Sequence, residues 1–413
     1  MKKFFLLLCA LLLSACAGVV DTPVAETQLP ALHITTWAED IHRREWQHTT
    51  VSLEMSGAYD FEPAPARIRG RGNSTWHAMG SKLPYRIRFD QPQAMFGSDV
   101  IARDWVLLAN AMDYSLMRDY AAHILGELAP SMDFSPFGHF LHLYMNGEYR
   151  GVYMLTDQIQ VHDGRVELNA HQDPALSEYF IEWCRHHRME GDVYFSVDGI
   201  PFVIDYPRGD NLTAEHVHFV ENFILRVNHV IGQRNYAALS QMVDIPSLVD
   251  LYLINEFTKN RDVGFSSMNF QIRQRDGQPV LVGGPIWDFD QSAGGVIDHN
   301  GYVNYSPTGA FAATENRWFR QLMGMPEFRA HVALRWQTMR DEEVPIMLDR
   351  IRYLSDTYKT CFERNFERWP NKLGQYLWRT PPSVIAIRTY TGQIDYLLDW
   401  FESRMEWMDD FLS

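Results

Sequence analysis

Two apolar-rich runs at 140–145 and 149–155, joined by Asn146-Gly147, limit how this chain can fold more than any other feature of it. Asn-Gly favours the two successive positive φ angles of a type I′ turn, whose twist matches that of the strands it joins. The runs are therefore expected to pair as an antiparallel hairpin, and an isolated hairpin needs more strands or helices to bury its apolar face. Upstream residues supply them. Alternating apolar and polar residues predict strands at 33–36, 50–55, 66–71 and 84–89, as in Arg67-Ile68-Arg69 and Tyr85-Arg86-Ile87-Arg88-Phe89, and 105–108 reads as a buried strand. Helical spacing over 116–128 ends at Pro130.

The second half changes character. Helices are expected at 214–231 and 245–258, the latter with Asp244 as N-cap and Pro246 in its first turn. That second helix is apolar nearly all round, which predicts burial. It runs into Lys259-Asn260-Arg261-Asp262, and then 269–273, the Asp276-Gly277 turn and 279–282 form another hairpin signal. Ile286-Trp287-Asp288-Phe289-Asp290 follows directly. Helices are expected through much of 315–365 and from about 382, where Leu397, Leu398, Phe401 and Met405 space helically. The pattern describes an α+β chain, β-rich at about 33–180 and mainly helical at about 181–413, without internal repeats.

The N-terminus reads as a delivery segment. Lys2 and Lys3, the apolar run 4–13 and Leu13-Ser14-Ala15-Cys16 resemble a bacterial lipoprotein signal. The resemblance implies removal of residues 1–15, lipid on Cys16, a tether over 16–32 and a position on the cell envelope facing away from the cytoplasm. Ala17 resembles an outer-membrane sorting choice. An ordinary signal peptide with an incidental Cys16 is the alternative. No later run is long and apolar enough to be a second span. Thirty-seven Lys plus Arg stand against 52 Asp plus Glu, so the net charge of −15 argues against nucleic acid as a partner. Cys184 and Cys361 are expected to be buried thiols, and no Cys or His spacing suits zinc.

The chemistry is concentrated in two places. Gly70-Arg71-Gly72-Asn73-Ser74-Thr75-Trp76 joins two expected strands, where glycines let backbone N–H groups approach an anion. Only six of the 37 basic residues are Lys, yet Lys82 stands beside this loop and Lys259 beside Asp262, which points to a need for a compact ammonium. Further along, Asp262, Asn269 and Asp288 follow a buried helix in the order in which kinase-like sites place an acceptor-orienting carboxylate and hard oxygen ligands for Mg²⁺. The Asp262-to-Asn269 gap is longer than the usual kinase loop. Asp288 and Asp290 alone would equally serve a metal-dependent glycosyltransferase or phosphatase. Arg118 and Asp119 read as a helix-surface pair, and Trp105 and Trp287 as core.

Taken together, Arg69 to Trp76, Lys82-Leu83-Pro84-Tyr85-Arg86-Ile87-Arg88-Phe89, Trp105-Val106-Leu107-Leu108-Ala109-Asn110, Asn146-Gly147-Glu148-Tyr149-Arg150-Gly151-Val152-Tyr153 and Trp287-Asp288-Phe289-Asp290 resemble the CotH kinase family, atypical protein kinases of the spore-coat protein H type. The resemblance implies a kinase-like bilobal fold and transfer of phosphate from ATP, with Mg²⁺ or Mn²⁺, to Ser or Thr of a protein. It implies Lys82 on the nucleotide phosphates with Gly70, Gly72, Asn73 and Ser74, Asp262 as catalytic base, Asp288 on the metal and Asn269 as second metal ligand. Asp290 would bind metal or orient its neighbour. Asp157 and Glu182 are the candidates to pair with the lysine, and family members often have Glu where Asp157 stands. Two other functions remain open: a nonreactive kinase-fold surface protein, such as an adhesin or scaffold, and a nucleotide-sugar transferase using Asp288 and Asp290.

Overall fold

The alternating residues of the first half close a barrel. The computed structural model describes residues 28–413 apart from 56, 79–81, 186–191, 298–305, 371–372 and 377–378. Cys16, the signal at 1–15 and the tether up to residue 27 lie outside the described residues. Strands β1 (Ala31–Thr36), β2 (Gln47–Glu54), β3 (Phe61–Gly70), β4 (Tyr85–Ala94), β5 (Ile101–Leu108), β6 (His139–Met145) and β7 (Glu148–Asp157) pair in the order β1-β2-β3-β4-β5-β7-β6. A parallel β1–β6 pairing closes the ring. Ile34, Val51, Ile68, Ile87, Trp105, Leu107, Leu141, Leu143 and Leu155 fill one core as every second residue of their strands. Val106, Phe140, Val152 and Met154 alternate with these and belong to the larger core shared with the helices, so β5, β6 and β7 are apolar on both faces. The β6–β7 turn has Asn146 at φ 51° and Gly147 at φ 77°.

A second antiparallel sheet occupies part of the half expected to be helical. Strands β8 (Tyr179–Trp183), β9 (Val193–Val197), β10 (Ile200–Tyr206), β11 (Met268–Arg275) and β12 (Gln278–Gly283) lie in the order β12-β11-β8-β10-β9. Strand β11 pairs with β8 in a register that sets Asn269 opposite Glu182. The expected 181–413 region is thus a sheet plus helices, with its first strand starting at Tyr179.

The Ile245–Thr258 helix forms over the expected residues. Asp244 accepts a hydrogen bond from Ser247 N at 2.8 Å, and every described position from Ser247 to Thr258 is buried. Lys259 ends the helix in the left-handed conformation at φ 50°, turning the chain into the loop that carries Asp262. The Tyr390–Leu412 helix packs beside it and sends Arg404 inward, where Nη2 donates to Glu256 Oε1 at 2.7 Å with both side chains fully buried. Cys184 and Cys361 are buried and do not form a disulfide.

Candidate active site

A cleft of about 1570 Å³ is lined by the β3 end and its glycine loop, the 108–111 segment, Asp119, Glu182 on β8, the 261–269 loop and the 287–291 segment. Gly72, at φ 79°, turns the chain here as only glycine does readily, and Gly70 packs so closely on Trp76 that a Cβ would fall 2.2 Å from its ring. The Asp262 loop is tied back on itself. Asp262 N donates to Asn260 Oδ1 at 3.1 Å, and Asp262 O accepts from Phe265 N and Ser266 N at 2.8 and 3.0 Å. Arg261 Nη1 reaches across to Gln291 Oε1 at 2.6 Å, joining this loop to the aspartate-rich segment.

Asp288 sits at φ 69°, an uncommon conformation for a residue with a Cβ. Two contacts hold the segment there. Ser267 Oγ donates to Asp288 Oδ2 at 3.0 Å, while Ser267 N donates to Glu182 Oε1 at 2.9 Å, so one serine positions two carboxylates. Phe289 N donates to Asp119 Oδ1 at 2.7 Å. Just beyond, Arg118 donates to Ser292 O at 2.9 Å and Ala293 O at 3.2 Å and makes a buried ion pair with Asp113.

Negative charge is concentrated here beyond what the surroundings neutralise. Burial first, then Asp288, pushes the Asp119 carboxyl up to about 7, with Arg71 opposing. The same two causes push Asp262 up to about 7, against Arg261. Asp290 is raised well above the ordinary value by burial and by Asp288, Asp119 and Asp262 together. Buried oxygens that repel one another in this way are suited to a hard divalent cation. Among the described residues no three His, Cys, Asp or Glu side chains converge closely enough to form a metal site by themselves. A magnesium-bound nucleotide asks for less, because Mg²⁺ uses one or two carboxylates and completes its shell with phosphate oxygens and water.

Of the residues expected from sequence, Gly70, Gly72, Asn73, Glu182, Asp262, Asn269, Asp288 and Asp290 line this one cleft. The side chain of Ser74 lies outside the described residues. Asn269 Nδ2 donates to Pro285 O at 3.0 Å, which fixes its amide. Lys82 and Asp157 are placed elsewhere. Lys82 is buried, with Nζ donating to Val152 O at 2.8 Å and lying 5.2 Å from the Tyr153 ring centre, and it is not part of the cleft wall. Asp157 accepts from Arg165 Nε at 2.8 Å and from Phe137 N at 3.3 Å, so a guanidinium occupies the carboxylate expected for the lysine. Lys259 likewise turns away, donating to Ser306 O and Thr308 O at 2.8 and 2.6 Å. Arg118 and Asp119 are buried and form no surface pair, and half-buried Trp287 lines the cleft with the Arg71 guanidinium 5.2 Å from its ring centre. Arg71, Asp119 and Ser267 are the site groups that sequence reasoning missed.

The model for CotH kinase proteins matches residues 67–408. The chain belongs to the CotH kinase family. That span takes in the glycine loop, the Asp262 loop and the Asp288 segment, so the carboxylate end of the cleft lies within the part of the chain that matches the family and marks a kinase-like protein. No curated protein matches the chain.

The raised carboxyls give the metal-free protein a testable pH dependence. An acid whose native pKa exceeds its unfolded one binds its proton more tightly when folded. Its contribution to stability is fully present below the ordinary value of 3.8 and is lost as pH rises through about 7. Buried His123 and His142, both pushed down to about 4, act in the opposite sense below about pH 6.5. Comparison with Asp288→Asn isolates the carboxylates. Removing that charge lets the other three ionise more easily, so urea titrations should show the variant gaining stability relative to wild type between pH 4 and pH 8. A constant difference across that range would mean that the four carboxylates do not act on one another.

Proposed function

We propose that this protein binds ATP with Mg²⁺ or Mn²⁺ in the described cleft and transfers the γ-phosphate to Ser or Thr of an envelope or secreted protein, in a kinase-like bilobal arrangement of the barrel with the second sheet and helices. The observation that carries the reading is the meeting of Asp262, Asp288, Asp290 and Asn269 with the Gly70–Gly72 loop in one cleft. A divalent ion bound there would neutralise phosphate charge. Asp288 and Asp290 offer it carboxylate oxygens, with Asn269 beside them. Asp262, with a carboxyl near neutrality, accepts the proton of the acceptor hydroxyl as that oxygen bonds to the γ-phosphorus and the bond to the β-phosphate oxygen breaks, releasing ADP. Arg71, rather than Lys82, is the cationic side chain that the glycine loop brings to the cleft, where its charge acts on Asp119.

Thermal denaturation with millimolar ATP and Mg²⁺ tests this. At one hundred times its Kd the ligand adds about 2.7 kcal/mol of stability. Absence of any shift contradicts the kinase reading and favours a nonreactive surface protein, and a larger shift with a UDP-sugar favours glycosyl transfer. In the same proposal, lipid at Cys16 holds the protein on a membrane of the cell envelope. A Cys16→Ser protein should then leave the membrane fraction for the soluble one, and an unchanged distribution would remove the anchor.

A further inference from the structure

Outside the carboxylate centre, the cleft has a second charged wall of opposite sign. Arg43, Arg44, Arg69 and Arg86 line it. The β3–β4 register puts Arg69 directly opposite Arg86, a like-charged cross-strand pair that costs stability unless something anionic answers it. Among the described residues, Asp104 is the acid whose charge acts on Arg69, and it is shared. Asp104 serves both Arg86 and Arg88, with Oδ1 accepting from their Nε atoms at 3.0 and 2.9 Å. Arg69 Nε is buried without a hydrogen-bond partner among the described residues. The guanidinium carbons of Arg69, Arg86 and Arg88 surround one indole, Trp46, at 4.7, 5.7 and 4.7 Å from its ring centre. Such stacking holds planar guanidiniums in place while their N–H edges remain able to fork onto carboxylates or phosphates. Nearby, Arg43 has its pKa lowered by burial and by Arg44, as expected where cations are crowded.

The whole chain has a net charge of −15, so this patch runs against the field of the molecule. It also stands apart from the chemical centre: Arg71 and Arg261 are the arginines that act on Asp119 and Asp262, whereas none of Arg43, Arg44, Arg69 and Arg86 does so to a comparable degree. A small-molecule site takes up about 300–1,000 Å³, so a cleft of about 1570 Å³ leaves room for a polypeptide segment beside a nucleotide.

We propose that the arginine wall around Trp46 is the docking subsite for the acceptor, and that the acceptor presents an acidic stretch, rich in Asp, Glu or phosphorylated Ser, next to the hydroxyl to be modified. The inference rests on the kinase reading for the fate of that hydroxyl, but the binding it describes is measurable without catalysis. The probe is a fluorescent peptide with Ala in place of the acceptor Ser, flanked by Asp and Glu, and its binding is followed by anisotropy without nucleotide. A phosphoserine version and an Asn/Gln version accompany it. The acidic and phosphorylated probes should bind at least tenfold more tightly than the Asn/Gln probe, with affinity falling as salt rises. Exposed Arg44→Glu, which leaves the barrel core untouched, should weaken them about tenfold, and Arg69→Gln should do the same. Equal binding of the acidic and Asn/Gln probes, or displacement of the acidic probe by metal-free ATP, would overturn the assignment, the latter making the wall a triphosphate site. Acidic-probe binding without phosphate transfer to the Ser-containing peptide would sink the kinase reading alone. Transfer without preference for acidic peptides would sink the docking site alone.

Discussion

Asp288→Asn is expected to remove metal-dependent nucleotide binding while making the empty protein more stable at neutral pH. The two effects have one cause. After burial, Asp288 is the charge that raises Asp119, Asp262 and Asp290 together, so its loss relieves repulsion in the empty site and removes attraction for a cation. Asparagine is the appropriate replacement, because it tolerates φ 69° better than most residues and can still accept the Ser267 hydroxyl bond. Its effect on activity should be about 10³-fold, several kcal/mol of lost charge stabilisation. Denaturation midpoints with and without ATP and Mg²⁺ supply the measurement. A variant that keeps the full ligand-induced shift would show that Asp288 holds no metal.

Arg118→Met should cost about 3–5 kcal/mol, the usual consequence of leaving a buried carboxylate without its partner. Asp113 and Arg118 are both almost fully buried, and Asp113 also accepts from Ser115 Oγ at 2.6 Å and from Arg118 N at 2.8 Å. The same arginine holds the carbonyls of Ser292 and Ala293, so its loss should loosen the segment that carries Asp288 and Asp290 and weaken nucleotide binding as well. Urea unfolding of the single variant and of Asp113→Asn/Arg118→Met separates the two contributions: the double variant should recover part of the stability and none of the binding. A loss below about 1 kcal/mol in the single variant would mean that water already reaches this pair.

What the sequence makes legible follows from what each signal depends on. The Ile245–Thr258 helix is readable because its cap, its early proline and its apolar run are all local. Strands β1 to β4 are readable because burying one face against the barrel core enforces alternation, whereas β5, β6 and β7, apolar on both faces, are readable as apolar runs and from the Asn146-Gly147 turn. Strand β8 is buried at all five positions, so it carries no alternation to detect. The β9–β10 hairpin did carry a signal: Asp198-Gly199 turns at φ 50° and 81° just as Asn146-Gly147 does, flanked by apolar residues. Asp119 is a different case. Its helix, Arg118–Leu128, is buried on almost every side, so periodicity cannot say which face meets Asp288, and only the tertiary arrangement brings the two together. The scarcity of lysine pointed to Lys82 and Lys259, and both are buried. Each ammonium donates to backbone carbonyls, a task for which three flexible donors on one small head are suited, and this accounts for their rarity without placing them on the cleft wall.

The central claim is phosphate transfer through Asp262, and it is tested most directly by following labelled γ-phosphate from ATP into a Ser/Thr peptide library with Mg²⁺ present. Wild-type protein should incorporate label that chelation of the metal abolishes. Asp262→Ala should bind ATP and Mg²⁺ as the wild type does yet transfer at a rate lower by a factor of about 10²–10⁴, the usual contribution of a positioned base. Wild-type protein that binds the metal nucleotide but labels nothing, or an Asp262→Ala protein that labels as fast as wild type, would contradict the account.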